Sequence, residues 1–446
     1  MTLMFRSLIL FLFISGSTWG QKNLSATDAV VIALENNYQI QVAEKQHAIN
    51  IKNNKWSEAG AFPTVDLSVS QNNTIQDNTN NPFTFNPGLI LSQGVNPSLN
   101  VNWNIFTGFS VKMSKVRLEQ LEKQSANNAM TVIETTIQDV LKGYFTAQLQ
   151  HERMDLFASI LSLSRERHDY YLIKEKYSSS SSLELLQFKN QYLTDSTNYL
   201  MQQISFDNAI RNLRLLMNED DSTVQAFDYV LTDKLAVDIE AMNFEQAQKE
   251  MLAENSNLQA QYIGLELQQT GTELQKSFLY PTLSFQAGVQ PGWSWFRDLN
   301  NPDFNQSSTT VSYYGNFNLR YTLFNNWKNK RAVEVSRIQE DIASLNIESM
   351  KKTLSSTLKN LLEMYDLRVR LVGISTENLD YAERALALAE KRFETSAINS
   401  IDLASFQNTY QNTMVQHYEN MFNRLDTYLE IYKMTGKLRL NYVKNL

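Results

Sequence analysis

The sequence repeats itself at a constant offset, so that position 34 corresponds to position 252, and this duplication constrains the fold more than any other feature. Seven residues between positions 34 and 112 recur, as the same or similar residues and without a gap, between positions 252 and 330. Seven more recur at the same offset in a second block, which begins at Ser182 and again at Ser400. Solenoid repeats are only some tens of residues long. The chain is therefore expected to contain two copies of one half-protein.

Residues 1–20 predict a secretory signal peptide. Arg6 is the only charged residue before an apolar run from Leu8 to Ile14, and small residues then precede a cleavage position before Gln21. A membrane anchor is the alternative, but the run is shorter than the ~20 residues that a spanning helix needs. We therefore expect the protein to be exported.

Composition excludes several classes of function. The chain has no cysteine, which rules out disulfides, thiolate metal sites and cysteine nucleophiles. Its net charge is -7 and no basic stripe stands out, which argues against nucleic-acid binding. The four histidines have no metal-ligand spacing, and no phosphate loop or Ser-His-Asp arrangement is present. We expect neither a catalytic site nor a metal or cofactor.

Strict alternation of apolar and polar residues predicts four short strands, two in each half. From Leu99 to Ile105 every odd position is apolar and every even position is polar, and segments 64–70, 282–289 and 316–323 alternate in the same way. A soluble sheet that covers a core and a transmembrane β-barrel both have this pattern. Segments 71–97 and 291–310, which are rich in Asn, Pro and Ser, are predicted to be loops.

Aromatic residues in or beside these strands favour the barrel. Trp, Tyr and Phe gather at the ends of barrel strands, where the membrane meets water. The predicted membrane-interface residues are Trp103, Phe106, Trp293, Trp295, Tyr321, Phe324 and Trp327.

Two other segments, 108–177 and 326–393, predict very long helices. They contain no proline and hardly a glycine, and about 70 helical residues would extend ~100 Å at 1.5 Å per residue. Apolar residues in steps of three and four indicate coiled-coil packing. Turns near 178–182 and 396–400 would fold each long helix back on a shorter one, so each half forms a helical hairpin.

The number of strands predicts an oligomer. One chain supplies four strands, and four cannot close a barrel. Two copies would supply eight strands and three copies twelve. Because open strand edges cannot lie in lipid, a single chain is not expected to be the membrane form.

Three stretches of the sequence resemble the TolC-like outer-membrane efflux protein family. The first begins at residues 24–37 (LSATDAVVIALENN) and ends in 61–64 (AFPT). The second is the strand-to-helix junction, present as WNIFTG at 103–108 and YTLFNN at 321–326. The third is the turn between the last two helices, KRFE at 391–394 followed by SIDL at 400–403. The resemblance covers essentially the whole mature chain, and these three stretches carry it.

The resemblance implies an α+β membrane protein that forms a homotrimer. A twelve-stranded β-barrel in the outer membrane would continue into a long periplasmic α-helical barrel. The trimer would be the passive exit duct of a tripartite efflux pump or type I secretion system. It would contact outer-membrane lipid, a periplasmic adaptor protein and, through that adaptor, an inner-membrane transporter. The alternative from a different class is an exported coiled-coil scaffold or binding protein that forms no channel.

The duplication and the resemblance together divide the chain into five parts. Residues 1–20 are the signal peptide, 21–216 the first repeat and 217–242 a linker at the equator of the molecule. Residues 243–436 are the second repeat, and 437–446 form a C-terminal equatorial tail.

The resemblance also places a gate at the helical tips. It implies that Asp402, with its repeat mate Glu184, contributes to a ring of six carboxylates at the periplasmic entrance, which would favour cations. The alternative role is that of first-turn acids, which stabilise helix N-termini, and both roles can coexist. The predicted tip and adaptor-contact residues are Ser180, Ser182, Ser396, Asn399 and Ser400.

The tip departs from the family pattern in two ways. Phe393 and Ser396-Ala397 stand where tyrosine and glycine are usual, and Ser405 stands where a second acid often follows. A phenylalanine lacks the hydroxyl that could hold a tip closed by hydrogen bonds. The two halves are also expected to differ here, with a turn at 394–400 that is two residues longer than the turn at 178–182.

Overall fold

A computed structural model describes residues 22–84, 87–177, 182–219, 229–235, 243–301 and 303–438. The predicted signal peptide, Ser180, most of the predicted equatorial linker and most of the C-terminal tail lie outside the described residues. The elements in chain order are β1 (Lys22–Leu24), α1 (Ala26–Asn36), α2 (Tyr38–Asn53), β2 (Thr64–Asp77), β3 (Leu89–Thr107), α3 (Ser110–Glu175), α4 (Ser182–Met217), β4 (Tyr229–Leu231), α5 (Phe244–Glu254), α6 (Ser256–Ser277), β5 (Thr282–Asp298), β6 (Asn305–Arg320), α7 (Lys328–Glu394) and α8 (Ser400–Met434).

The two predicted long helices are present. α3 contains 66 residues and α7 contains 67, and neither is interrupted. Each is followed by a shorter helix of 36 or 35 residues, as the predicted hairpins require. Within the described ranges, no helix combines the length and the apolar character needed to cross a membrane.

The four long strands form one antiparallel sheet in the order β2-β3-β5-β6. The pairing aligns residues of like character in rows across the sheet. Trp103, Phe285 and Phe317 form one such row, whereas Asn102, Gln286 and Asn316 form the adjacent row on the opposite face. The predicted alternation thus produces a sheet with one apolar and one polar face.

The strands are longer than the sequence predicted, and most of segments 71–97 and 291–310 is strand. The loops between paired strands are only 78–88 and 299–304. Residues 71–77 are polar apart from Ile75, so side-chain alternation gave no signal there, but backbone pairing continues, for example between Gln71 and Val95. Pro97 and Pro291 suggested loops because proline cannot donate to a ladder. Both lie where the pairing between β3 and β5 pauses, between Val95 and Leu99.

The chain divides into two compact units, each built from several separate segments. The first unit consists of residues 1–41, 132–255 and 355–446. Its core includes residues of α1, α3, α4 and α8 beside the parallel pair of β1 and β4. Tyr144 is fully buried there; its hydroxyl donates to the Leu24 carbonyl (2.8 Å) and accepts from the backbone N–H of Thr232 and Asp233 (3.0 Å each). Residues 229–235 of the predicted linker therefore pack beside β1 and Tyr144.

The second unit consists of residues 42–131 and 256–354. It contains the four-stranded sheet, with α2, α6 and parts of α3 and α7. Every residue of the two edge strands, β2 and β6, is exposed in the single chain. Their outer edges are therefore open to pairing.

Candidate functional site at the helical tips

The end of α7 is closed by backbone hydrogen bonds that require an unusual conformation at Ser396. The Ala397 N–H donates to the Arg392 carbonyl (2.8 Å) and the Ser396 N–H donates to the Phe393 carbonyl (2.9 Å). This pair of bonds is a Schellman motif, which places its C′ residue in the left-handed region. Ser396 has a φ of 58°, so a serine adopts the conformation that glycine usually takes.

The start of α8 brings together two of the predicted tip residues, Asn399 and Ser400, and the predicted gate residue Asp402. The Asn399 side chain accepts from the N–H groups of Ile401 and Asp402 (2.9 Å each), and the Asp402 carboxylate accepts from the Asn399 N–H (3.4 Å). This is a capping box, so Asp402 occupies the first-turn role. Ser400 is buried, and its hydroxyl donates to the side-chain oxygen of Gln187 on α4. Ser400 thus joins the two hairpins.

The equivalent start of α4 carries Glu184 in its first turn, two residues after Ser182. Glu184 is half-buried and Ser182 is exposed. Glu184 acts electrostatically on Tyr171 of α3: burial raises the pKa of the Tyr171 hydroxyl, and the negative charge of Glu184 raises that pKa further. Ser180 lies outside the described residues. The roles of Asp402 and Glu184 at a gate remain predictions, because that ring would need further copies of the chain.

An aromatic cluster at the tips was missed by the sequence analysis. Phe393 contacts Tyr171 and Phe188, with ring centroids 6.4 and 5.9 Å away, and Tyr171 stacks on Phe188 at 4.6 Å. Leu185 completes the cluster. Phe393 therefore joins α7 to the first hairpin by apolar packing, where a tyrosine could have used a hydrogen bond. The repeat gave no signal for this cluster, because Glu175 occupies the position equivalent to Phe393.

A buried polar network next to this cluster was also missed. Arg167 of α3 donates to Gln407 of α8 (2.6 Å) and to Glu390 of α7 (2.9 Å). Burial lowers the pKa of the Arg167 guanidinium, while the Glu390 carboxylate favours its charged form. Asp195 of α4 also acts on Arg167, and burial raises the pKa of the Asp195 carboxyl. One arginine therefore interacts with all three other helices beside a cavity of about 190 Å³.

The predicted difference in turn length is wrong. α3 ends at Glu175 and α4 begins at Ser182, so six residues join them, whereas five residues join Glu394 to Ser400. The turn in the second half is thus one residue shorter, because α7 continues one residue beyond the repeat mate of Glu175, which is Phe393. Glu175 and Phe393 are repeat mates, and so are Ser182 and Ser400. The sequence between these flanking residues therefore has the same length in both halves, and neither turn contains an insertion.

The predicted membrane-interface aromatics lie in or beside the sheet of the second unit. Six of the seven are exposed in the single chain, and Phe106 is partly buried. Trp103 pairs opposite Phe285, and its indole N–H donates to the Ala61 carbonyl (3.0 Å). Trp293 and Trp295 lie further along β5 on the same face. The aromatic residues therefore form two separate groups along the strands.

Among the residues that the structure describes, no group of three or more His, Asp or Glu side chains is arranged to hold a metal ion. The tips instead offer carboxylates, hydroxyls and amides on exposed helix ends, with an apolar cluster and an ion pair behind them. Such an arrangement can contact a protein partner or repel and attract ions.

The family model for outer membrane efflux protein matches the chain twice, at residues 29–219 and 247–437. The first matched residues of the two segments are repeat mates, and so are the last, which agrees with the duplication in the sequence. The matched residues make up well over half of the chain. No curated protein matches it.

Solved structures with the same fold include two outer membrane channels and a further outer membrane protein. The channel CmeC of Campylobacter jejuni is 14% identical, with 92% of this chain and 85% of that chain covered and a TM-score of 0.74. The open state of MtrE of Neisseria gonorrhoeae is 15% identical, with 92% and 88% covered and a TM-score of 0.70. VceC of Vibrio cholerae is 11% identical, with 92% and 96% covered and a TM-score of 0.68. These likenesses confirm the predicted α+β fold with its internal duplication.

Proposed function

Because the chain belongs to the outer membrane efflux protein family, we propose that three copies form the exit duct of an efflux pump or type I secretion system. The trimer lies in the outer membrane and conducts passively, so the energy for transport comes from an inner-membrane transporter. Each chain contributes one third of a twelve-stranded β-barrel and one third of a helical tunnel. Family membership disfavours the alternative of an exported scaffold that forms no channel.

The observation that carries this proposal is the open, two-faced sheet. Leu67, Leu99, Val289 and Tyr313 pair in one row across all four strands, and Leu67 and Tyr313 are more than two-thirds exposed. A soluble sheet would cover such a row with a core. A barrel would instead turn this face to lipid, its polar face to water, and pair β2 of one copy with β6 of the next.

The spacing of the tryptophans supports a membrane position for the sheet. Trp295 lies ten residues beyond Phe285 on β5, and Trp103 pairs opposite Phe285. Ten residues extend ~33 Å along a strand. At the 35–45° tilt of barrel strands this becomes about 25 Å across the membrane, which is the height of the apolar band between two aromatic girdles. We therefore assign Trp103 and Trp295 to opposite membrane interfaces.

The gate of the duct is assigned to the helical tips. α3 and α7 are each ~100 Å long, which is the scale needed to cross a periplasm. In a trimer, Asp402 and Glu184 would supply six carboxylates at the entrance, and their use in helix capping does not remove their charge. The exposed residues Ser182, Ser396 and Asn399 are proposed to contact the periplasmic adaptor.

The first experiment tests the duct itself. Purified protein in detergent should have the mass of a trimer by light scattering, and it should conduct ions in planar bilayers. In cells it should sediment with outer membranes and resist extraction by carbonate. A monomer that is released into the periplasmic supernatant would contradict the proposal and favour the scaffold.

The second experiment tests the gate. The double variant Asp402→Asn and Glu184→Gln should lower the preference for cations over anions, measured as the reversal potential in a salt gradient, and weaken block by polyvalent cations. Glu377→Gln is the matched control, because it removes an exposed carboxylate from α7 away from the tip. Unchanged selectivity in the double variant would remove both residues from the gate.

A further inference from the structure

The two junctions where a strand leads into a long helix, between β3 and α3 and between β6 and α7, share an unusual backbone conformation. Phe109 has a φ of 72°, and its repeat mate Trp327 has a φ of 61°. The preceding residues, Gly108 and Asn326, are also left-handed. A positive φ is a true outlier for a bulky side chain. The duplication has therefore kept a strained backbone at an aromatic residue in both halves.

Packing within the chain leaves both aromatic rings partly uncovered. The Phe109 ring meets Phe106 and Tyr280 edge-to-face, with centroids 5.2 and 5.6 Å away, yet Phe109 is 55% exposed. Trp327 meets Phe324 in the same way at 5.9 Å and is 61% exposed. Tyr280 belongs to the second pair of strands, so Phe109 already has a neighbour from the next hairpin of the sheet. Its exposed surface is therefore left for another occupant.

An open groove of about 270 Å³ runs beside the first junction. Aromatic residues form much of its wall, among them Trp56, Trp103, Phe106 and Phe109, and Lys112 lies at the same groove. A groove that combines aromatic rings with one exposed ammonium group is complementary to an amphiphile, which has an apolar part and an anionic head.

A lysine follows each of the two strained aromatic residues by three positions, Lys112 in the first half and Lys330 in the second. Both lysines are exposed, and the Lys330 ammonium lies 5.5 Å from the centre of the Trp327 ring. The first turns of α3 and α7 contain no acid. Because a cation in the first turn opposes the helix dipole, these lysines do not stabilise their helices. Another interaction must favour them.

Both junctions are basic although the chain has a net charge of -7. In each long helix, three cations precede the first acid. Among the residues that the structure describes, only one of these six cations pairs with a carboxylate, which is Lys115 with Glu119 at 2.6 Å. The six are Lys112, Lys115 and Arg117 in α3, and Lys328, Lys330 and Arg331 in α7.

The proposed duct places both junctions at the periplasmic side of the membrane. Trp103 is assigned to one membrane interface, and Phe109 follows it by six residues as the chain leaves β3 for α3. Lys112 lies one helical turn further on. Aromatic rings lie at the level of the lipid headgroups, and basic side chains just outside the membrane attract anionic lipids. The charge and the position of the groove therefore both match a lipid headgroup.

We propose that each junction binds the headgroup of one anionic phospholipid of the periplasmic leaflet. Lys112 or Lys330 would contact the lipid phosphate, and Phe109 or Trp327 would pack against the glycerol and the first acyl carbons. A trimer would hold six such lipids. The inference rests on the proposed membrane position of the sheet, and it adds a lipid class and the residues that recognise it.

Native mass spectrometry tests the site, because one spectrum reports both the oligomer and its bound lipids. Protein purified in detergent is titrated with phosphatidylglycerol and, separately, with phosphatidylcholine of the same acyl chains. The wild-type trimer should retain up to six molecules of phosphatidylglycerol and fewer of phosphatidylcholine, which has no net charge. The double variant Lys112→Gln and Lys330→Gln should need about fivefold more phosphatidylglycerol for equal occupancy, because one lysine near an anionic lipid surface contributes about that factor.

The matched control is Lys189→Gln with Lys359→Gln, which removes two exposed lysines from α4 and α7 away from the junctions. It should retain phosphatidylglycerol as the wild type does. An equal loss in the control would show a general effect of net charge and overturn the site. So would unchanged retention in the Lys112 and Lys330 variant, or equal retention of the two lipids by an intact wild-type trimer.

The same spectra separate this inference from the proposed function. A monomer without bound lipid overturns both. A monomer that retains phosphatidylglycerol, and loses it in the Lys112 and Lys330 variant, contradicts the exit duct and supports the lipid site.

Discussion

α3 and α7 occupy equivalent places in the two repeats and are almost equal in length, yet equivalent positions on them differ in character and burial. α3 presents Lys142, Arg153 and Arg167 to acids and an amide of its own chain, whereas α7 presents Leu371 and its apolar neighbours to solvent. The comparison teaches that the duplication preserves the length of the long helix but not the chemistry of its contacts.

The largest effect is expected from removal of Arg167. Arg167→Ala leaves Glu390 and the buried Gln407 without their donor, and loss of one partner from a buried ion pair destabilises strongly. We expect a loss of about 3 kcal/mol in the free energy of unfolding, because Glu390 is partly exposed. Urea unfolding of the detergent-solubilised protein, followed by circular dichroism, measures it.

The control for Arg167 lies on the other long helix. Arg384 pairs with Asp380 at 3.0 Å, but both side chains are at least half exposed. Arg384→Ala should therefore change the free energy of unfolding by no more than about 0.5 kcal/mol. Equal effects of the two substitutions would show that burial does not distinguish the ion pairs of α3 from those of α7.

A smaller effect is expected when the ion pair between Arg153 of α3 and Glu419 of α8 is replaced by the apolar residue types found at the equivalent repeat positions, Leu371 and Met201. Arg153→Leu alone should cost about 1.5 kcal/mol, because Glu419 loses a charged hydrogen bond but can still reach water. Adding Glu419→Met should restore all but about 0.5 kcal/mol, since an apolar pair can replace an ion pair. The same unfolding experiment measures both variants, and failure of the second substitution to rescue the first would show that an apolar pair cannot replace this ion pair.

Much of the architecture could be predicted from the sequence because it depends on local patterns. The long helices were located to within two residues of their ends, since the absence of proline throughout both segments is visible in the chain itself. Alternation located parts of all four strands. It failed from Gln71 to Asp77, where every residue except Ile75 is polar and only pairing with β3 maintains the strand.

The tip contacts could not be predicted because they depend on pairs that are distant in the chain. Arg167 is 240 residues from Gln407 and 223 from Glu390, and no local pattern specifies their register. Asp402 and Asn399, by contrast, are three residues apart, and their capping box was foreseeable as the first-turn alternative. The repeat helps with the helices but not with the tips, where Phe393 and Arg167 have no chemically similar mates.

The smallest effect concerns the alkaline limit of the ion pairs between α3 and α8, in which the Lys142 ammonium lies 2.8 Å from Asp426 and 3.2 Å from Glu430. Burial opposes the charge of Lys142, but its pairs with Asp426 and Glu430 outweigh burial, so the pKa of Lys142 is raised above 10.5 in the folded chain. A raised lysine pKa contributes stability that is complete below pH 10.5 and is lost as the pH rises through the folded pKa. Asn360 at the equivalent place on α7 does not titrate, so only the α3 position should lose stability in this way.

Lys142→Met isolates this contribution from the other lysines and tyrosines that titrate in the same range. Wild type should lose up to about 1 kcal/mol more than the variant between about pH 9 and pH 12. Lys359→Met is the control, because Lys359 and Glu363 on α7 form a long, exposed pair of 3.9 Å. If both variants follow the wild-type unfolding curve across this range, Lys142 does not stabilise the contact between α3 and α8, and the ionic character of that contact rests on Arg153 and Arg167.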